Sequence, residues 1–505
     1  MDRLVVIGNG MAGVSAVEEI LKIRQDLSIT LFGDEPHVNY NRVLLSEVLA
    51  GERRFEEITL HTREWYDQNK IDLRLGVRIT AIDPLAKTVS DSEGKVTSYD
   101  RLLITVGSIP FIPPIQGVGT QQAEASERGR PACRTGSLHP AWPVEGATQA
   151  PIIEKQGVFV FRNIEDTQKI LAQAHLAKQA VVIGGGLLGL EAARGLVNHG
   201  VSATVVHLMD RLMEQQLDAA SAAMLKREVE RLGIGVALNT TVTEILGDEK
   251  VTGVRLTTGQ ALSAGMVLIC TGVRPNIDLA RSARLKTNRG IVVNDHLQTS
   301  SPDIYAIGDV IEHRGKTYGL VAPLRDQARV VADHLVGEKK LSYEGTVCAT
   351  ILKVAGVKLT SAGVFLGGDG HEEMVYLDTR SAIYKKLVFQ NNRLVGMILL
   401  GDNKNGTRLF NLIRSGQDIS TVKDQLIQMG SGQPSIQVDS SLSTVSTMAD
   451  TELICNCHTV TKGTIMQAIR DKGLKTRDEV ANSTKASTGC GSCAQSVEDL
   501  LQDVN

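Results

Sequence analysis

Aromatic side chains are scarce: Phe, Trp and Tyr make up 4% of the 505 residues, with two Trp. A platform that stacks single-stranded bases is therefore not expected. Excess charge is missing too, since 54 Lys and Arg face 57 Asp and Glu for a net −3. That excludes nucleic acid or an anionic membrane as the obvious partner. No apolar run reaches the ~18 residues that a bilayer span needs. The opening MDRLVVIGNGMAG enters an apolar strand with no basic stretch, apolar core and cleavage site before it, which predicts a cytoplasmic chain. In such a reducing compartment seven cysteines read as metal ligands or free thiols rather than disulfides. The length predicts two to four domains of ordinary globular composition.

What is present is a unit written twice. Residues 3–33 and 179–208 each run from an apolar stretch through a glycine turn and an amphipathic helical stretch to a second apolar run. Each predicts a βαβ unit with a right-handed crossover, so the fold class is α/β with two Rossmann-like domains. Between them, residues 118–156 are rich in Gly, Ala, Ser, Pro and Gln and show no periodicity, as expected of a surface insertion; Cys133 and Trp142 read as incidental loop residues there. Alternating runs between 344 and 420 predict a mixed α+β domain, and the polar stretch near 430–450 a linker.

Gly8, Gly10 and Gly13 form GxGxxG between strand and helix. The first glycine makes the turn, the second admits a pyrophosphate, and the third packs helix on strand. Ala12 lies inside the motif, and Asp34 and Glu35 follow the second strand, where a carboxylate binds a ribose hydroxyl. Gly184, Gly186 and Gly189 repeat the motif, with Leu188 inside it. Here the second strand ends in His207, which leaves the choice between NADH and NADPH open. Glu191, just after Gly189, either faces a nicotinamide or is solvated. Two strand-end turns, TVGSIP with Thr105 and Gly107 and CTGVRPN with Gly272, together with Gly308 and Asp309 in YAIGDV, point to a flavin. Arg42 completes the candidate cofactor-binding set. No side chain demands the role of general base, so none is assigned.

Near the C-terminus stand Cys455 and Cys457 as C-x-C, then thirty-two residues, then Cys490 and Cys493 as C-x-x-C. Four thiolates hold either tetrahedral zinc or an iron–sulfur cluster. Structural zinc usually takes C-x2–4-C at both ends, so the C-x-C pair favours a 2Fe–2S cluster over zinc, the glycines of TGCGSC letting backbone N–H groups approach a sulfide. Cys270 and Cys348 sit in apolar stretches and read as inert.

NYNRVLLSEVLAG (39–51), GVFVFRNIEDT (157–167), VVHLMDRLMEQQLD (205–218) and CNCHTV…GCGSC carry a resemblance. Together with the glycine motifs, they resemble the flavoprotein reductases with two dinucleotide-binding domains. The likeness is strongest to the flavin part of assimilatory nitrite reductase large subunits and to nitrate reductase electron-transfer subunits. The resemblance implies FAD at the first site, NAD(P)H at the second, and a helical domain of the bacterioferritin-associated-ferredoxin type holding 2Fe–2S. It implies an enzyme: hydride passes from NAD(P)H to the flavin, and electrons leave singly through the cluster to a separate nitrite or nitrate reductase subunit. A homodimer is compatible with it. The implied domains are 1–117 with 288–335 for FAD, 118–156 as insertion, 157–287 for NAD(P), 336–420 as interface domain, 421–450 as linker and 451–505 for the cluster. Three departures are expected to matter. Glu47 stands where related reductases often carry a flavin-adjacent lysine. No C-x4-C pair lies near residue 40, which excludes disulfide chemistry through such a pair. The 505 residues lack the sirohaem region of the full-length large subunits. A reductase for rubredoxin or ferredoxin, or a redox- or iron-sensing module, remains the alternative.

Overall fold

The computed structural model describes residues 2–118, 153, 155–354, 357–403, 405–421, 423–426, 445, 448–455, 460–487 and 493–504. The expected insertion and linker therefore lie mostly outside the described residues, as do Cys133, Trp142, Cys457 and Cys490. No helix among the described residues is long and apolar enough to cross a membrane.

The two glycine-bearing units share one plan. In the first, five parallel strands stand in the order Ile304–Ala306, Arg101–Ile104, Arg3–Ile7, Ser28–Gly33, Asp72–Leu75. In the second the order is Gly235–Ala237, Ser202–Val206, Gln179–Ile183, Met266–Ile269, Val158–Val160, again all parallel. Each glycine turn thus leaves the central strand. Leu4, Val5, Val6 and Ile7 are all buried, as are Ala180, Val181, Val182 and Ile183. Helices cover both faces of a parallel sheet, so the strand reads as a continuous apolar run rather than an alternating one. Full burial of each such Val, Leu or Ile contributes roughly 1.5–3 kcal/mol.

A third unit is an antiparallel sheet in the order Ala349–Val354, Val357–Gly363, Arg393–Leu400, Ile383–Gln390, Glu372–Asp378, with the helix Gly406–Ser415 packed on it through Leu409 and Phe410. The C-terminal unit is helical: Lys462–Lys472, Arg477–Thr484 and Ala494–Val504 close around Ile454, Ile465, Ile469, Val480, Val497 and Leu500. Two of its helix starts are capped. Thr461 accepts from the Thr464 N–H, and Thr476 with Glu479 forms a capping box.

Packing moves four of the expected boundaries. Ile115 and Val118 already lie in the second unit's core. Ala280, Ala283 and Leu285 lie in the first unit's core, so the chain rejoins that unit before 288. Tyr343 is also buried there, so the antiparallel sheet begins after it, at Ala349. Leu426 packs under that sheet, so attachment continues past 421. In each case a few apolar anchors extend a core beyond the point where composition changes.

Candidate dinucleotide cavity and cysteine site

The glycine turns have the geometry that phosphate binding requires. Gly8 has φ +118°, and a Cβ there would lie 2.5 Å from the Thr105 carbonyl oxygen. A Cβ on Gly13 would lie 2.2 Å from the Gly8 carbonyl oxygen, yet one on Gly10 would meet nothing within 4 Å. The second turn repeats this: Gly184 has φ +117° and a Cβ contact of 2.3 Å with the Cys270 oxygen, Gly189 would lie 2.0 Å from the Gly184 oxygen, and Gly186 faces open space. The outer glycines are demanded by backbone packing and the middle ones leave room for a ligand at a helix N-terminus.

Both turns open on one cavity of about 1950 Å³. A single drug-sized ligand fills ~300–1,000 Å³, so this volume suits two extended cofactors. Of the sequence candidates around the two turns, all but Gly13, Gly189 and Gly308 line it. Those three serve the backbone: Gly13 and Gly189 pack helix on strand, and the Gly308 N–H donates to Gln327 Oε1 at 2.8 Å. Thr105 lines the cavity but spends its hydroxyl on the Ile7 and Gly8 carbonyls, bracing the turn. Asp34 is exposed. Glu35 accepts from the Tyr40 hydroxyl at 2.7 Å and pairs with Arg42 at 2.5 Å. Arg42 also donates to the Arg162 carbonyl at 2.7 Å, tying the first unit to the second.

Three of the wall residues that the sequence reading did not single out brace the loops. Asn9 is held by the Tyr66 hydroxyl, donates to the His37 carbonyl, and accepts at its own carbonyl from Asn39. It fixes the loop between the first two glycines. Arg162 donates to Ser108 Oγ at 2.7 Å and lies 3.5 Å from Asp309, while Ser108 Oγ donates to Asp309 at 2.8 Å. Burial lowers the Arg162 guanidinium from its ordinary value and the Arg42 charge adds to this, with Asp309 opposing. GVFVFRNIEDT contains Arg162, but nothing in its spacing shows what it contacts.

Glu191 stands on the cavity wall in the first turns of Leu187–Asn198. The helix Leu45–Leu49 packs against that helix, and Gly195 permits it, since a Cβ there would sit 2.9 Å from Leu49 Cγ. The packing brings Ser46 and Glu47 beside Glu191. Burial pushes the Glu191 carboxyl up, the Ser46 hydrogen bond opposes it and the Glu47 charge adds to it, for a value of about 7. Glu47 itself pairs with Arg53 at 2.5 Å.

At the C-terminal unit, Cys455 and Cys493 are buried in the same small core. Ser487 Oγ lies 3.6 Å from Cys493 Sγ. Two buried thiols, one from each cysteine pair, facing one core fit a thiolate-bound cluster. Among the described residues no group of three or more His, Cys, Asp or Glu is gathered for a metal, the other two cysteines being outside them. The unit is docked by Asn411, which donates to the Leu453 carbonyl at 2.9 Å. Arg325 is lowered by burial, while Glu18, Cys455 and Glu19 act in the opposite sense, which places Cys455 within electrostatic reach of it. Arg325 lies in the first turn of Ala322–Val336, next in sequence to the cavity-lining Leu324. Burial pushes the Cys270 thiol up to about 12 and Cys348 to about 11, as inert thiols require.

The family model "pyridine nucleotide-disulphide oxidoreductase" matches residues 2–328, and the chain belongs to that family. Residues 349–417 match the rubredoxin NAD+ reductase C-terminal domain, and residues 453–503 the BFD-like [2Fe-2S] binding domain. The cofactors of these domains are FAD, NAD(P)H and a 2Fe–2S cluster. The chain is 42% identical to a Bacillus subtilis (strain 168) "nitrite reductase [NAD(P)H]" over 99% of its own length and 57% of that protein's. It is 38% identical to the same organism's "assimilatory nitrate reductase electron transfer subunit", over 99% of this chain and 59% of the relative. The chain thus spans less than two thirds of these relatives. The crystal structure of NADH:rubredoxin oxidoreductase from Clostridium acetobutylicum is similar with a TM-score of 0.64 and 26% identity, covering 85% of this chain and 99% of that one. No cysteine lies between residues 39 and 51, so the disulfide chemistry in the family's name has no residues there.

Proposed function

We propose that this chain oxidises NAD(P)H and delivers the electrons to a separate nitrite or nitrate reductase component in nitrogen assimilation, in the cytoplasm. The observation that carries the reading is spatial. One cavity is lined by both glycine turns, and the helix that begins on its wall carries in its first turn Arg325, on whose charge Cys455 acts. When bound, FAD supplies two-electron acceptance and the 2Fe–2S cluster single-electron transfer. The chain's own residues do the rest. Gly10 and Gly186 leave room for the two pyrophosphates at helix N-termini. Asn9, Thr105, Ser108 and Arg162 hold the loops around them rigid. Cys455 and Cys493 supply half of the ligand set from a buried core that excludes water.

The test is cofactor content followed by acceptor choice. Anaerobically purified protein is expected to contain FAD and equal amounts of iron and acid-labile sulfide, with no zinc. Mixed with a purified nitrite or nitrate reductase catalytic subunit, it is expected to support NAD(P)H-dependent reduction of nitrite or nitrate. Turnover with rubredoxin and none with either subunit would favour the second reading, a rubredoxin-type reductase, which the match at residues 349–417 supports.

A further inference from the structure

Coenzyme choice is decided just past the second strand of the second unit. A carboxylate there accepts from the adenosine ribose hydroxyls and repels a 2′-phosphate, whereas an arginine welcomes the phosphate. The strand Ser202–Val206 ends instead in His207.

The fold supplies the carboxylate from seven residues later. Met213, in the left-handed region at φ +51°, donates its N–H to the Gly185 carbonyl at 3.0 Å and folds the loop back over the glycine turn. Glu214 follows it and lines the cavity with Leu208, Met209 and Gln216. The Gly185 N–H donates to His207 Nδ1 at 3.0 Å. That nitrogen is therefore an acceptor, and the ring proton sits on Nε2, which donates to Glu214 Oε2 at 2.9 Å. The other carboxylate oxygen has only a 3.5 Å contact from Gln215 Nε2. Burial pushes the Glu214 carboxyl up, but the His207 N–H and a backbone N–H outweigh it and hold the group below its ordinary value. No Lys or Arg lines the cavity between residues 183 and 242. Arg211, the guanidinium closest in sequence, is bound to Asp210 and to the Leu217 carbonyl.

We propose that Glu214, positioned by His207, takes the adenosine ribose hydroxyls and selects NADH over NADPH. The assignment rests on reading the second glycine turn as the nicotinamide coenzyme's site. His207 is then a positioning residue rather than a ligand of the coenzyme.

The holoenzyme tests this through kcat/KM for NADH and NADPH with a dye acceptor, and through Kd for NAD+ and NADP+ by titration of the flavin spectrum. Wild type is expected to favour the NAD form by about tenfold or more, the worth of one charge-assisted hydrogen bond. Glu214→Gln is expected to lower that ratio by about tenfold in both measurements. Glu214→Gln combined with Leu208→Arg is expected to reverse it. His207→Ala is expected to lower the ratio alone, yet to add little to Glu214→Gln, since both remove one interaction. A wild-type ratio within about threefold of unity, or a preference for NADPH, overturns the assignment even if every variant misfolds. An unchanged ratio in a flavin-loaded Glu214→Gln variant does the same. Reduction of the flavin by neither coenzyme overturns the functional reading itself, and the assignment with it.

Discussion

A half-buried carboxyl group with a like charge beside it holds its proton longer, and Glu191 is in that position on the cavity wall. Its folded value of about 7 lies above the ordinary 4.5. Below the ordinary value the group is protonated in both folded and unfolded chains and costs nothing. As pH rises toward the folded value, the unfolded chain ionises first, so folding loses stability across that window. Replacing Glu191 by Gln removes the titration. In denaturant melts of the Gln variant against wild type, the variant is expected to gain up to roughly 3 kcal/mol on wild type between pH 5 and pH 8. A gap that does not change with pH would show that Glu191 ionises normally. The glycines allow a contrast at the same scale. Gly10→Val and Gly186→Val point into open space and are expected to fold, the first without FAD and the second with FAD that NAD(P)H cannot reduce. Gly13→Val would press on the Gly8 carbonyl and is expected to destabilise the first unit outright. Loss of the same cofactor from Gly10→Val and Gly186→Val would sink the assignment of the two sites.

The helix Ala322–Val336 is the element on which the parts meet. Pro323 opens it, where a missing N–H costs nothing, and Gly337 at φ +96° closes it. Its first turn lines the cavity. One turn on, buried Gln327 accepts from the Gly308 N–H and donates to the Tyr343 hydroxyl at 3.3 Å. Gln327→Leu leaves that buried N–H unpaired, at a cost of roughly 1–3 kcal/mol. The turn carrying Asp309 should loosen, so weaker FAD retention on gel filtration is expected alongside a lower melting temperature. Unchanged flavin content would mean that Gln327 supports the fold and not the site. The C-terminal unit offers the complementary case, since its core is built from its own helices. Cys493→Ala is expected to leave FAD bound and reducible and two-electron dyes active, while transfer to a one-electron protein acceptor is lost. An unchanged rate to that acceptor would put the cluster off the main path.

At the scale of the whole molecule, the two parallel sheets and the antiparallel sheet are interleaved rather than strung in line. The segment Tyr40–Ile58 leaves the first unit and packs into a core shared with the second unit and with Leu352 and Leu359 of the third. The chain on either side of 119–152 is fixed on the second unit: Gln116 bridges Glu244, and Gln156 bridges Lys250. Because both ends are held by backbone pairing, and 119–152 show no apolar periodicity, replacing 119–152 by a short Gly/Ser link is expected to leave melting temperature and flavin content nearly unchanged. Failure to fold would reveal a packing role that composition conceals.

Local chemistry is legible in the chain by itself. Glycines at GxGxxG spacing, apolar strands and paired cysteines are dictated by short-range requirements: a positive φ, a close helix–strand contact, a thiolate ligand. The two Rossmann-like units and the glycine turns that open on the cavity can be read in that way. Contacts between residues far apart in sequence cannot. Nothing near Glu191 in the chain announces Ser46 and Glu47, nothing beside Asp309 announces Arg162, and the boundaries shift wherever a distant anchor such as Tyr343 joins another core. His207 is the sharpest case. Its residue type leaves the coenzyme open, and only the loop's return through Met213 brings Glu214 to it, because hydrogen bonds act over about 3 Å of space whatever the separation along the chain.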